Sequence, residues 1–499
     1  MKVNRHDSSN IPYVQAPLLS DAIYQSESSI EMDDFRRYGK ADVIHREFES
    51  DGDKPRVSRW IYLCTMKAVT LTVAPVISVV LPSFLILLCG ILFLNVCYQV
   101  NFHLKELPRF MLQIVFYSTL TETFLVHFWF FVILCFTFPK KTIRKCNLFY
   151  VTLAFAQLEL LVLAIEFALN YGNVFDTNGS RVIFMSSTIM LGFQIAGYYE
   201  KRKLIRTSLA FKICFQYLLG IILYIIVISY GVKKFIAMDS DKERLIFATF
   251  FPLTGTFFKL LCRLIAGAFP KIIHPGKYHL LVVTMNVGVS ITYRIFQAKI
   301  VSMEHFTMLS IFHAATGCIG RCTLLYRDRF YRFVLRVCRS KVSTKSRTKA
   351  IERRFTADLI ITDHLSEIMS VIVINMLVYM YSLHFQIPIN KKDVVIAYVN
   401  SFLKRVGISL SLEFIFLVPS LVLLTYHLNL PILKLWRKYW KSYLLVTTFC
   451  SCMTLLYAQD RNQLTQLVEE SLVKSSRQST NGSFPWYCNE TKGIGFWRH

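Results

Sequence analysis

The sequence predicts an all-α fold, a polytopic transmembrane helix bundle of about eleven spans within a range of roughly ten to twelve. Its N-terminus is expected in the cytosol and its C-terminus in the lumen or outside the cell. Three observations predict this. Of 499 residues, 54% are apolar and 14% aromatic while charged residues are held to 18%, an apolar excess over ordinary globular chains. Apolar stretches of about 20 residues recur along most of the chain, the length that ~30 Å of hydrocarbon requires at 1.5 Å rise per residue. Lys and Arg cluster in the short segments between them, as loop charges that set topology do.

The net charge of +25 does not point to nucleic acid, because the basic residues are dispersed among loops rather than joined in one patch. Residues 1–56, with Asp33, Asp34, Glu47 and Glu49 among many serines, lack the apolar core of a cleavable signal peptide and read as a disordered cytosolic tail. The transmembrane domain is expected over 57–458.

Within it the spans read Ala74 to Tyr98, Met111 to Phe138, Leu148 to Asn170, Val182 to Tyr199, Leu209 to Val232 and Leu245 to Phe269. Five more follow: Tyr278 to Phe296, His305 to Leu325, Ile361 to His384, Val406 to Leu428 and Tyr443 to Ala458. The last is short, so its crossing needs other support. Residues 459–499 form a lumenal or extracellular tail.

In this arrangement the cytosolic loops hold more than twice as many Lys and Arg as the opposite short loops. Much of the excess lies in one basic loop, 327–354. Its Phe330, Phe333, Val334 and Val337 interleave with Arg329, Arg332, Arg336 and Arg339, a pattern suited to anionic lipids and also to an ordinary topology-setting loop. Three Asn-x-Ser/Thr sequons, at Asn178, Asn481 and Asn489, all fall on the outer side. Asn178 sits too near the membrane, leaving Asn481 and Asn489 as the expected glycosylation sites.

A charge inside the bilayer costs several kcal/mol, so ionisable residues too deep to snorkel are the candidates for function. Glu122 and His127 lie near the middle of the second span, Glu159 in the third and Lys259 in the sixth. Either glutamate paired with Lys259 would neutralise both in low dielectric. Arg263, Arg294 and Arg321 lie nearer span ends, from which basic side chains reach headgroups. Asp358, Asp363, His364 and Glu367 crowd the start of the ninth span. Asp363, His364 and Glu367 share part of one helical face, an arrangement that suits holding a cation or passing protons. Acidic residues near a helix N-terminus also complement the macrodipole, the simpler account.

Lesser candidates are Glu413, unassigned between pore and pair, and His313, in a small-residue stretch suited to helix packing. Pro252, Gly255 and Pro419 are expected to kink their helices, while Trp436, Tyr439 and Trp440 resemble an interfacial belt.

The chain has no Gly-x-Ser-x-Gly, His-Glu-x-x-His, P-loop or Cys-x-x-Cys metal pair, which weighs against an enzyme, and no metal ligand set is read from it. A membrane acyltransferase using His313 or His127 stays open. A receptor or ion channel is a further alternative. A transporter or permeation pathway for an ion, small solute or lipid fits best, because many spans with deep ionisable groups suit moving charge. Plasma membrane and endomembrane fit equally.

Overall fold

The computed structural model describes residues 57–94, 109–138, 140–169, 178–201, 240–266, 277–298, 302–324, 349–386, 392–428 and 430–460, with scattered positions between 215 and 333. All regular structure among the described residues is helical, and none is strand. The helices are α1 (Val57–Leu94), α2 (Arg109–Thr137), α3 (Lys140–Lys145), α4 (Leu148–Leu169), α5 (Asn178–Lys201) and α6 (Lys233–Ile236). They continue as α7 (Asp241–Ala266), α8 (Tyr278–Ala298), α9 (Met303–Cys322), α10 (Lys349–Gln386), α11 (Lys392–Val422) and α12 (Ile432–Asp460). The chain divides into two compact units, Met1–Val57 with Ser346–Glu352, and Ser58–Lys345 with Arg353–His499. Apart from the first residues of α1 and α10, every helix belongs to the second.

Among the described residues, six helices contain stretches long and apolar enough to cross a membrane: Trp60–Leu88, Leu148–Ile165, Lys242–Ala266, His279–Ala298, Arg353–Met380 and Val395–Tyr426. A helix satisfies every backbone N–H and C=O within its own segment, the condition that a stretch crossing lipid has to meet. Thr123–Thr137 in α2 is a shorter apolar helix. The expected span Leu209 to Val232 lies, save isolated positions, outside the described residues. So do Asn481, Asn489 and most of the basic loop 327–354.

Two helices form the centre. The apolar windows of α8 and α10 are 83% and 89% buried, against 20% to 33% for the other four. The outer helices turn large apolar side chains outward, among them Ile77, Leu161, Phe250 and Ile415. Helix α7 packs on α8, α8 on α12, α9 on α11, and α2 on α4. Gly255 makes the first of these contacts close, since a Cβ there would meet Val289 Cγ1 at 2.8 Å. Its role is packing rather than the expected kink.

Helix α1 starts well before the expected Ala74, because Arg59 and Lys67 interrupt hydropathy without interrupting helix. It also runs unbroken through Pro75 and Pro82. Likewise α11 continues through Pro419 before one π turn, Leu423–His427. Between α3 and α4 the chain reverses at Asn147, whose φ of 49° is the left-handed conformation that asparagine tolerates best after glycine. Ser302 caps α9 by accepting from the His305 amide at 3.4 Å.

Trp436 departs from the expected interfacial belt. It is buried, with Nε1 donating to Thr70 Oγ1 at 3.1 Å and tying α12 to α1, whereas Trp440 on the same helix is exposed.

Candidate functional site

The second unit contains a polar seam built by five helices. Helix α9 contributes Ser310, His313, Gly317 and Arg321, spaced three, four and four residues apart, which places them on one face over roughly 16 Å of helix. Facing them are Tyr293, Arg294 and Gln297 of α8, Asp363, His364 and Glu367 of α10, Glu413 of α11 and Lys259 of α7.

Three cation–carboxylate pairs hold the seam together. Arg321 Nη1 donates to Glu367 Oε2 at 2.7 Å, Arg294 Nη2 to Glu413 Oε1 at 2.7 Å, and Lys259 Nζ to Asp363 Oδ1 at 2.8 Å. The first two pairs are almost sealed, while Lys259 and Asp363 keep 16% and 25% of their side-chain surface. Pairing is what allows these groups to sit in an apolar bundle, since a lone buried charge costs several kcal/mol and a short charge-assisted bond offsets much of it. Arg294 Nη1 also donates to Gln297 Oε1 at 2.7 Å, and Gln297 Nε2 donates in turn to Ser310. Tyr293 stacks on His313, with ring centroids 3.8 Å apart, and its hydroxyl donates to the Leu309 carbonyl at 2.7 Å.

Glycine at position 317 leaves room for the Glu367 carboxylate. A Cβ there would lie 3.5 Å from Oε1 and 3.6 Å from Oε2. Polar capacity is left over around this point. Both ring nitrogens of His364, Nε2 of His313, Nε of Arg294, Nε and Nη2 of Arg321, and Oε2 of Glu413 are buried without a hydrogen-bond partner in the protein. Buried polar atoms are nearly always satisfied, so such a concentration marks a place where a small polar guest would be stabilised.

Of the residues singled out from sequence, Lys259, Asp363, His364 and Glu367 meet here, together with the lesser candidates His313 and Glu413 and with Arg294 and Arg321. The side chain of Glu122 lies outside the described residues. His127 and Glu159 pair with each other instead, Nε2 to Oε2 at 2.6 Å between α2 and α4, both almost fully buried. The expected Glu159–Lys259 pair does not form, because Lys259 is held by Asp363 on α10. Complementing a macrodipole does not explain the acidic residues of the ninth span. Helix α10 begins at Lys349, so Asp358 is already more than two turns inside it.

The Arg294 and Arg321 expectation is corrected as well: neither extends to headgroups, and both are only 2% exposed. Position in sequence suggested escape to water, whereas the carboxylates of Glu413 and Glu367 draw them inward. The spacing of Ser310, His313, Gly317 and Arg321 was the sequence signal for this stripe. A smaller group lies elsewhere on α10, where Tyr443 donates to Asp358 and Arg354 Nε approaches Asp358 Oδ2 at 3.8 Å.

No protein-family model matches the chain, and no curated protein or solved structure matches it.

Proposed function

We propose that the chain is a transporter or permeation pathway for an ion, a small polar solute or a lipid, and that the seam between α7, α8, α9, α10 and α11 is its conducting element. One observation carries the reading: three ion pairs and a surplus of unpartnered buried polar atoms converge from five helices inside an apolar bundle. A purely structural role would call for polar groups that are fully satisfied, since a half-satisfied network is less stable than an apolar core. Ion pairs that exchange partners as cargo passes would use the surplus. The partly exposed Lys259–Asp363 pair, whose lysine sits on a helix with much apolar surface outside, supports entry at that point.

Reconstitution into liposomes tests this, with ionic conductance, solute uptake and lipid redistribution read separately. Glu367→Gln and Arg294→Gln are expected to abolish the flux that wild type supports while leaving insertion intact. Absence of every flux from correctly inserted wild-type protein would overturn the proposal, and conductance that requires an added agonist would favour the receptor or channel reading.

The acyltransferase reading comes second. His127 with Glu159 has the geometry of a base oriented by a carboxylate, whereas His313 lies 3.9 Å from Glu413, beyond hydrogen-bond reach. Hydrolysis or transfer of an acyl donor that is lost in His127→Ala would favour it.

The topology belongs to the same proposal: eleven crossings, N-terminus in the cytosol. Helix α12 is 29 residues long, roughly 43 Å at 1.5 Å per residue, which is length enough to cross, but its first third carries Lys434, Arg437, Lys438 and Lys441 and it is not among the six apolar candidates, so the eleventh crossing stands on the sequons. The proposal expects a glycan on Asn481 or Asn489 that disappears in the double Asn→Gln variant.

A further inference from the structure

We propose that His364, Glu367 and Glu413 form a transit site for a divalent transition-metal ion, an inference that rests on the transport reading and names the class of its cargo. One ligand atom from each residue lies within 4.8 Å of the other two, and all three residues are buried. Ligand atoms bonded at about 2.0–2.2 Å lie at most about 4.4 Å apart, so a spread of up to 4.8 Å closes on an ion with small side-chain movements. Both ring nitrogens of His364 and Oε2 of Glu413 have no hydrogen-bond partner in the protein, so these two residues each have an atom free to bind. One imidazole with two carboxylates suits Mn, Fe, Co or Zn, because the nitrogen donor disfavours the hard ions Mg and Ca, which prefer oxygen throughout.

The arginines make the site one of passage rather than storage. Arg321 occupies Oε2 of Glu367 and Arg294 occupies Oε1 of Glu413, so the carboxylates are neutralised when no ion is present. An arriving ion competes with them. Arg321 holds Glu367 through Nη1, with Nε and Nη2 unpartnered, whereas Arg294 has a second anchor in Gln297. Glu367 is therefore the carboxylate that changes partner more readily. Two guanidinium charges beside the ion keep its affinity modest, as a permeation site requires if the ion is to leave. His313, with Nε2 unpartnered and 3.9 Å from Glu413, is placed to receive the ion next.

The test uses full-length protein purified in detergent, with its accessible cysteines alkylated so that exposed thiols cannot bind metal, and Co2+ as the probe. Ligand-field absorption and metal analysis are expected to show about one Co2+ per chain, with affinity falling roughly tenfold or more in His364→Gln and Glu413→Gln. Arg321→Gln is expected to raise the affinity, because the competing cation is gone, a gain that misfolding does not produce. Absence of stoichiometric Co2+ in wild type, or His364→Gln binding as wild type does, would overturn the site. The same protein in liposomes then separates the two claims. Flux of another solute without Co2+ binding overturns the metal inference and leaves transport standing, Co2+ binding without Co2+ uptake overturns the role as cargo, and absence of every flux overturns transport itself.

Discussion

Arg321 of α9 and Glu367 of α10 form a 2.7 Å charge-assisted bond in which neither side chain exposes more than 5% of its surface. Neither group could remain charged there alone, so the two helices are joined by a contact that neither can relinquish cheaply. Removing one partner is expected to cost about 3–5 kcal/mol, because the other charge is left buried and unpaired. Replacing both with Met and Leu should cost much less than the two single losses together. Thermal unfolding in detergent for Arg321→Met, Glu367→Leu and the double variant measures this, and strict additivity would show that the pair is not coupled.

Gly317 separates steric from electrostatic control of the seam. A Cβ would make ordinary contacts of 3.5 to 3.7 Å with Glu367 and Arg321, so Gly317→Ala should insert and function nearly as wild type. A leucine side chain extends into the carboxylate and should reproduce the functional loss of Glu367→Gln. Flux comparison of the two variants at matched surface expression decides the point.

Close approach of α7 and α8 at Gly255 is predicted to be intolerant of even one carbon. Its Cβ would lie 2.8 Å and 3.0 Å from the two methyls of Val289, a β-branched side chain with little rotamer freedom. Gly255→Ala should destabilise by about 1–3 kcal/mol, as overpacking does, and Val289→Ala in that background should restore part of the loss. An unchanged melting temperature for Gly255→Ala would contradict the packing.

Cys146, in the turn between α3 and α4, is buried and donates weakly to the Gln194 carbonyl at 3.7 Å. Burial pushes its thiol up to about 11 from an ordinary 9.0. The sign is unfavourable to reaction at neutral pH, since a higher value leaves less thiolate, roughly a hundredfold less for this shift. Peptide-level mass spectrometry after iodoacetamide should find Cys146 unmodified in folded protein and modified after denaturation.

Much of the helical architecture was legible from sequence, for a physical reason. An apolar run of some 20 residues has few stable alternatives to a helix in lipid, so Leu148 to Asn170 and Tyr278 to Phe296 correspond closely to α4 and α8. The starts of α1 and α10 were not legible, because hydropathy falls where Lys67 or Arg354 enters although the backbone hydrogen-bond ladder continues. Residue chemistry likewise identified Lys259 as a charge too deep to ignore, and Asp363, His364 and Glu367 as a cluster on one face at the start of the ninth span. Which charge meets which was another matter. Glu159 found His127, Lys259 found Asp363, and Arg294 and Arg321 turned inward to Glu413 and Glu367, more than 40 residues away along the chain. Hydrophobicity acts on each segment by itself and so is written in local sequence. The partner of a buried charge depends on which helices lie side by side, and only their packing decides that.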